Sequence, residues 1–471
     1  MNFAKVLSDE QSAKICQAGE ELLETTGFKV EDDDALRRCA AAGAKVNQAS
    51  GIVRLPRPLL RELLEQAPSK YTIDSVEHKT YEVGGPELCC GAIVTDPWII
   101  DYDTQKPRRP RLDDLRRNTA VAQSMEPVAW ISRMDFPVSD VEGPTSSLRA
   151  WEQYLLRCGK HHCFMAAETE SNRRWLDIVR ILNRGEESAS RRLFSTAVAV
   201  ISPLKIAGFN VDLLRLACQN NSPVFPTICP MAGSTSPYSL ASTLLLGHAE
   251  NLIVAALTQI FRLGHPFLCT FGPSVMNMQN GADLYYTLDK VLWKTAYVQL
   301  ARSYQLPVKT ECGGTMSYHY DPQNGMEGSI SMLSALESGA DVLTGFGSCY
   351  TAMGMSAEMM VIQEAWMEAA RFLQQGINTG DTHLGLENIQ QAGPGGLFLT
   401  DELTLRYMRG GEFFANEIFD LSACEEEGKS MLERAHEKVE QLVADFQSPV
   451  PHDIQEELRR YFHDECKRVQ A

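Results

Sequence analysis

Residues 307–361 constrain the fold more than any other stretch of this chain. A short apolar run, 307–311, ends in Cys312-Gly313-Gly314, and a polar, aromatic loop with Tyr318, His319 and Tyr320 follows. Asp321-Pro322 then opens a helix of small and apolar residues that runs to Ser338 and stops at Gly339. A second apolar run, 341–344, ends in Gly345-Phe346-Gly347-Ser348-Cys349-Tyr350 before the next helix begins. Strand, loop and helix, taken twice in this order, build a parallel sheet with helices outside.

The same alternation is legible upstream. Strands are expected at 128–132, 162–166, 194–201, 223–227 and 266–270, with helices at 146–157, 171–182, 212–220, 238–263 and 283–304 between and after them. With the two strands above, these predict an α/β chain: a (β/α)₈ TIM barrel over residues 111–420. Its eighth strand is left open, and the glycine-rich segment 393–399 marks a turn near the barrel's end.

Before the barrel, residues 1–110 read as an α+β extension. Ser8 and Gln11 fit a capping box on a helix that Gly27 stops, and two short strand pairs, 44–55 and 71–83, flank a helix at 58–67. Pro107-Arg108-Arg109-Pro110-Arg111 reads as a solvated basic turn. Residues 421–471 turn helical and acidic, with amphipathic helices at 430–446 and 453–469.

Bulk properties narrow the function. A net charge of −17 argues against nucleic acid, which needs a basic surface. Thirteen scattered cysteines, without a C-x-x-C pair and behind an N-terminus that does not read as a signal peptide, predict reduced thiols and a cytoplasmic protein. No run of about 18 apolar residues predicts a membrane span. In a barrel of this type the site lies at the C-terminal mouth, among the loops that follow the strands.

Several segments resemble the trimethylamine:corrinoid methyltransferase (MttB) family. They are Pro230-Met231-Ala232-Gly233-Ser234-Thr235-Ser236-Pro237 with Ala249-Glu250-Asn251 after it, Asp321-Pro322-Gln323-Asn324-Gly325-Met326-Glu327, Gly393-Pro394-Gly395-Gly396-Leu397-Phe398-Leu399, and Glu433-Arg434-Ala435 followed by Pro449. Their order spans nearly the whole chain. The resemblance implies a barrel that moves a methyl group from an amine to the cobalt of a corrinoid (cobalamin) carried by a separate protein, with no cofactor bound tightly in this chain. In the archetype pyrrolysine follows Asp-x-Gln; here that position is Asn324. The chain is therefore similar to the non-pyrrolysine branch, whose members demethylate quaternary amines such as glycine betaine, proline betaine, carnitine or γ-butyrobetaine.

That substrate class sets the chemistry of the site. Co(I) is a strong nucleophile and a quaternary ammonium leaves as a neutral amine, so the protein has to bind, desolvate and aim. A trimethylammonium head is held by aromatic faces at about 0.5–2 kcal/mol each. Candidates are Trp98, Phe136, Tyr318, Tyr320, Phe346 and Tyr350. A betaine carboxylate wants cationic donors, for which Arg133, Lys309 and His319 are candidates, while Glu311 can face the cation. The resemblance adds Gln323 and Glu327 as site-wall residues, and Asn324 as a hydrogen-bond partner of the substrate or a space-filler where the family's pyrrolysine ring would lie. Plainer readings stand beside these. Trp98 fits a core, Lys309 fits an ion pair with Glu311, His319 fits a loop hydrogen bond, and Asn324 fits a helix cap near Asp321.

Two rival functions remain. His161-His162-Cys163 with Cys312 or Cys349 has ligand types for a zinc-dependent corrinoid:thiol methyltransferase, although the histidines begin their strand. A catalytically silent betaine-binding or corrinoid-docking protein would use the same cage. No metal site is expected in this chain, and a homo-oligomer is the default expectation.

Overall fold

Seven parallel strands run in the spatial order Val224–Thr227, Phe194–Ala199, His161–Phe164, Val128–Ser132, Cys89–Ile93, Val342–Phe346 and Lys309–Glu311. Residues 267–269 close the remaining gap, through parallel bridges from Phe267 to Val224 and from Cys269 to Val308. The Leu268 N–H donates to the Val224 carbonyl at 2.9 Å and the Cys269 N–H to the Pro307 carbonyl at 2.8 Å. The result is an eight-stranded (β/α)₈ barrel. This computed structural model describes residues 4–132, 137–165, 169–184, 191–423 and 428–470.

The strand that the sequence leaves open comes from upstream. Cys89–Ile93 pairs in parallel with both Val342–Phe346 and Val128–Ser132, so the barrel takes its first strand from before residue 111 rather than its last from the 393–399 end. Cys-Cys-Gly-Ala-Ile gives little strand signal, because glycine is depleted in strands. Gly91 is required there: the Trp130 indole fills the space that a side chain at position 91 would take.

The N-terminal end of the barrel is filled. Tyr71–Asp74 and Thr80–Val83 form an antiparallel hairpin. Its Tyr71, Ile73 and Val83 pack with Ala129, Trp130, Cys163, Ala197, Phe225, Leu268 and Val342 in one apolar cluster. Burial of this cluster leaves the C-terminal end for the site.

The N-terminal extension is stitched to the barrel. Asp9–Thr25 carries both arms of the Ser8/Gln11 capping box and packs on Leu240–Phe261 and Asp289–Ser303. Phe28–Val30 pairs antiparallel with Ile52–Arg54 and parallel with Lys205–Ile206, a strand that follows the barrel strand Phe194–Ala199. Leu240–Phe261 is long and apolar enough by composition to cross a membrane. It lies buried against Asp9–Thr25, Arg57–Glu65 and Asp289–Ser303.

Two elements differ from expectation. The basic turn is structured: Arg108 bridges Asp101 and Asp114 at 2.7 Å each, and the Arg109 guanidinium lies 4.0 Å from the centre of the Trp98 ring. The helix expected over 283–304 starts later, as Asp289–Ser303, because Asp283–Leu284 is taken up by antiparallel pairing with Ser274–Met276.

At the C-terminus, Met431–Ala444 packs on Ala357–Gln374 and Leu112–Ser124, and His452–Gln470 on Ser146–Leu155 and Thr169–Leu182. Between Ala357–Gln374 and Met431–Ala444 in the chain, helices Asp381–Leu384, Leu386–Ala392 and Glu402–Gly410 contain no buried residue. Ile377, Leu397, Leu399 and Phe413 along this arm are exposed.

Candidate functional site

A cavity of about 400 Å³ occupies the C-terminal end of the barrel. The strand ends Ile93, Ser132, Thr227, Glu311 and Thr344 line it, as do Phe225, Lys309, Tyr285 and Tyr286. Thr351, Ala352 and Met353 form part of its rim. Cys229 lines it too and is solvent-exposed, so the cavity opens to the outside.

Lys309 and Glu311 lie two residues apart on one strand, so both side chains fall on the lumen side. They do not pair with each other. Glu311 forms an ion pair with Lys290, 2.7 Å away, and accepts a 2.8 Å hydrogen bond from the Tyr285 hydroxyl. Burial pushes its carboxyl up, yet Lys290, Tyr285 and Lys309 together hold it below its ordinary value. The Lys290 ammonium also sits 2.9 Å from the centre of the Tyr285 ring. Lys294, one turn on, donates to the Glu311 and Ser331 carbonyls at 2.9 Å and meets the Ser331 hydroxyl at 2.6 Å. Burial pulls Lys294 down to about 7.

Lys309 is the cation left available. Its ammonium lies 4.2 Å from the centre of the Phe225 ring and 5.7 Å from that of Trp130, and among the described residues it has no carboxylate within ion-pair distance. Burial lowers it from its ordinary value. Asp96, which also lines the cavity, is buried, and burial pushes its carboxyl well above the carboxylate range.

The rim is held under strain. Tyr350, Thr351 and Ala352 are all left-handed, with φ of 47°, 50° and 61°. Hydrogen bonds over-determine them: the Tyr350 and Thr351 N–H groups donate to the Ser317 and Thr315 carbonyls, at 3.1 and 2.9 Å. The Thr351 hydroxyl donates to the Asp283 carbonyl at 3.1 Å and accepts from the Tyr285 N–H at 3.0 Å. This loop therefore positions the tyrosine that holds Glu311.

Of the residues singled out from sequence, the structure brings Lys309 and Glu311 into the cavity. It places the other described ones outside its lining. Phe346 is fully buried in the core. Tyr318 and Tyr350 pack edge to face at 5.3 Å, and His319 tilts against Tyr318. The Tyr320 hydroxyl hydrogen-bonds Ser356 at 2.8 Å. Trp98 stacks under Arg109, and its backbone N–H donates to the carbonyl of the rim residue Met353 at 3.0 Å. Arg133 and Phe136 lie outside the described residues.

The helix-opening motif serves the loop before it. Asp321 caps Pro322–Glu337 by accepting from the Asn324 N–H. The Asn324 amide donates to the His319 carbonyl at 2.9 Å, while its Oδ1 is buried with no partner among the described residues. Gln323 donates to Glu327 at 2.9 Å. The other oxygen of Glu327 accepts from the Thr315 hydroxyl and the Met316 N–H, at 2.7 and 2.9 Å. In the motif around 250, Asn251 clamps residue 270 through both its N–H and its carbonyl.

The histidines of the zinc alternative are engaged elsewhere. His161 contacts the Asp74 carbonyl at 3.0 Å and the Ser195 hydroxyl at 2.8 Å, and His162 the Tyr154 hydroxyl at 2.8 Å. Among the described residues, no three His, Cys, Asp or Glu side chains gather in metal-holding geometry.

Sequence reasoning missed Tyr285, Tyr286, Lys290, Lys294 and Asp96. A signal existed for the lysines: two cations four residues apart, on a helix face that continues with the apolar Tyr297 and Ala301, belong to a buried polar site.

The family model described as trimethylamine methyltransferase (MTTB) matches residues 1–469. A trimethylamine methyltransferase MttB of Desulfitobacterium hafniense (strain DSM 10664 / DCB-2) is 25% identical over 463 residues, 96% of this chain and 92% of that one. A glycine betaine methyltransferase of Desulfitobacterium hafniense (strain Y51) is 25% identical over 473 residues, 98% of each. Among solved structures, the hydroxylamine complex of MtmB superposes with a TM-score of 0.52 at 12% identity, covering 98% of this chain and 88% of that chain. The Methanosarcina barkeri monomethylamine methyltransferase (MtmB) gives 0.50 at 12% identity, covering 94% and 89%. At that identity the likeness concerns the fold.

Proposed function

The chain belongs to the trimethylamine methyltransferase family and is a methyltransferase, and from that membership we propose that it demethylates a betaine-type quaternary amine and passes the methyl group to the corrinoid of a partner protein. The observation that carries this reading is Lys309: an ammonium within the cavity, with ring faces beside it and no carboxylate paired to it among the described residues. With the carboxylate of a zwitterion on Lys309, the same cavity offers Tyr286, Asp96 and the 351–353 rim to its trimethylammonium. The corrinoid supplies Co(I), the nucleophile that takes the methyl group.

This chain's residues have a narrower task. The Lys309 ammonium binds the carboxylate by a charge-assisted hydrogen bond. Tyr286, whose hydroxyl donates to Ser348 at 3.0 Å, presents an apolar face that replaces water around the methyl groups, while Phe225 lies beside the Lys309 ammonium. Lys290 already occupies the Tyr285 face, so Tyr285 acts through Glu311 rather than as a cage wall. No general acid is needed, because the departing amine is neutral. Asn324 stands where the archetype carries pyrrolysine, and its amide donates to the His319 carbonyl.

The test is a screen of glycine betaine, proline betaine, carnitine and γ-butyrobetaine with cob(I)alamin, with trimethylamine and choline alongside, following the methyl-cobalt absorbance. Turnover of a betaine that Lys309→Met abolishes, while methyl transfer from choline is unchanged by the substitution, supports the reading. Turnover of trimethylamine alone overturns it.

A further inference from the structure

Asp96 follows the barrel strand Cys89–Ile93 and lines the mouth cavity. The residue is 5% exposed, and its Oδ2 has no hydrogen-bond partner among the described residues. An unpaired carboxylate in such a place is costly, and the group keeps its proton instead. Burial accordingly lifts the Asp96 carboxyl well above its ordinary value. Tyr286 and Cys349 are close enough to feel its charge, and both are neutral at pH 7. The charged residues of the same cavity are Lys309, Glu311 and Asp283, and Glu311 is already committed to Lys290. No described residue of the cavity repays ionisation of Asp96.

A quaternary ammonium would. It has no N–H and no lone pair, so it cannot use the protonated acid as a hydrogen-bond partner, but its fixed charge stabilises a carboxylate in a low dielectric. We infer that Asp96 is the specificity-determining counter-ion of the site: entry of a quaternary ammonium into the cavity ionises it, and its proton leaves to solvent. The Asp96 O–H bond breaks, the buffer takes the proton, and no bond forms to the ligand. A neutral molecule of the same shape cannot drive this exchange, so Asp96 separates cations from their uncharged isosteres. The inference rests on the reading of the cavity as a quaternary-amine site.

The test is isothermal titration of the full chain at pH 7 with glycine betaine and with tetramethylammonium, in phosphate and in Tris, whose ionisation enthalpies differ. The expected result is release of close to one proton per cation bound by the wild type. Asp96→Asn should release none and bind roughly tenfold or more weakly, while both proteins bind 3,3-dimethylbutanol alike. The buffer comparison on the wild type needs no variant and stands even if Asp96→Asn misfolds. Cation binding without proton release, or equal affinity in Asp96→Asn, overturns the inference and leaves methyl transfer untouched. Proton release without methyl transfer to cob(I)alamin overturns the transfer reading alone, and no binding of either cation overturns both.

Discussion

Lys290 holds Glu311 by a 2.7 Å ion pair at the barrel mouth, and the same carboxylate takes a hydrogen bond from Tyr285. A helix, the segment before it and a barrel strand thus converge on one charge. This triad fixes the electrostatics of the cavity, because it neutralises Glu311 and leaves Lys309 as the cation available to a ligand anion.

Lys290→Met should lower stability at pH 7 by about 3–5 kcal/mol, since it leaves a buried carboxylate without its partner. In the wild type the Glu311 carboxyl lies below its ordinary value, so its contribution is present at neutral pH and is lost as pH falls through the folded value. In the variant burial acts with less opposition and lifts the carboxyl, so the deficit should narrow towards acidic pH. Urea unfolding of both proteins between pH 4 and 7 checks this, and a deficit independent of pH would refute it.

Lys294 predicts a slope of the same sign at higher pH. Its folded value is about 7 against an ordinary 10.5. Between those values the unfolded chain holds a proton that the folded protein has released, so stability rises with pH across that window. Comparison with Lys294→Met isolates the effect, which should be on the order of 1–3 kcal/mol between pH 7 and 9. Parallel stability curves for the two proteins would exclude it.

Phe346→Ala should behave as a core truncation. The ring is fully buried and outside the cavity lining. Loss of about 3–5 kcal/mol is expected from the lost transfer energy and the cavity left behind. For the fraction that remains folded, the KM for the amine should not change. A raised KM with normal stability would return Phe346 to the substrate cage.

Ala352→Gly should relax the rim. Ala352 has φ 61°, where a Cβ costs about 1–2 kcal/mol that glycine does not incur. The backbone freedom that glycine gains in the unfolded chain offsets part of this. Thermal unfolding should show a Tm equal to or above that of the wild type. A clear drop would mean that the left-handed turn is unstrained.

Cys229 should report ligand binding. Among the described cysteines it alone is exposed, and it lines the cavity. Desolvation by the surrounding cavity wall and the nearby Glu311, Asp283 and Glu250 push its thiol up to about 11, so alkylation by iodoacetamide at pH 7.5 should be slow and should quicken as pH rises. A ligand in the cavity should protect it. Peptide mapping identifies the modified residue, and labelling unaffected by a bound betaine would place the ligand elsewhere.

The fold was legible wherever local sequence carries the decision. The capping box at Ser8 and Gln11, the Asp321-Pro322 helix start and the alternation of apolar runs with helices are short-range signals, and the elements they predict are present. Lys309 and Glu311 were legible for the same reason: a period of two on a barrel strand places both in the lumen.

What the sequence by itself determined is therefore the barrel, its mouth, and one strand's share of the cavity lining. Only the tertiary structure decided that Cys89–Ile93 completes the barrel, that Phe346 turns into the core, and that Tyr285, Lys290 and Asp96 converge on the mouth. The physical reason is range. A helix cap or a strand period is written within a few neighbouring residues, whereas burial and charge pairing depend on groups from distant segments meeting in space, as when residue 290 reaches residue 311 and residue 91 makes room for residue 130.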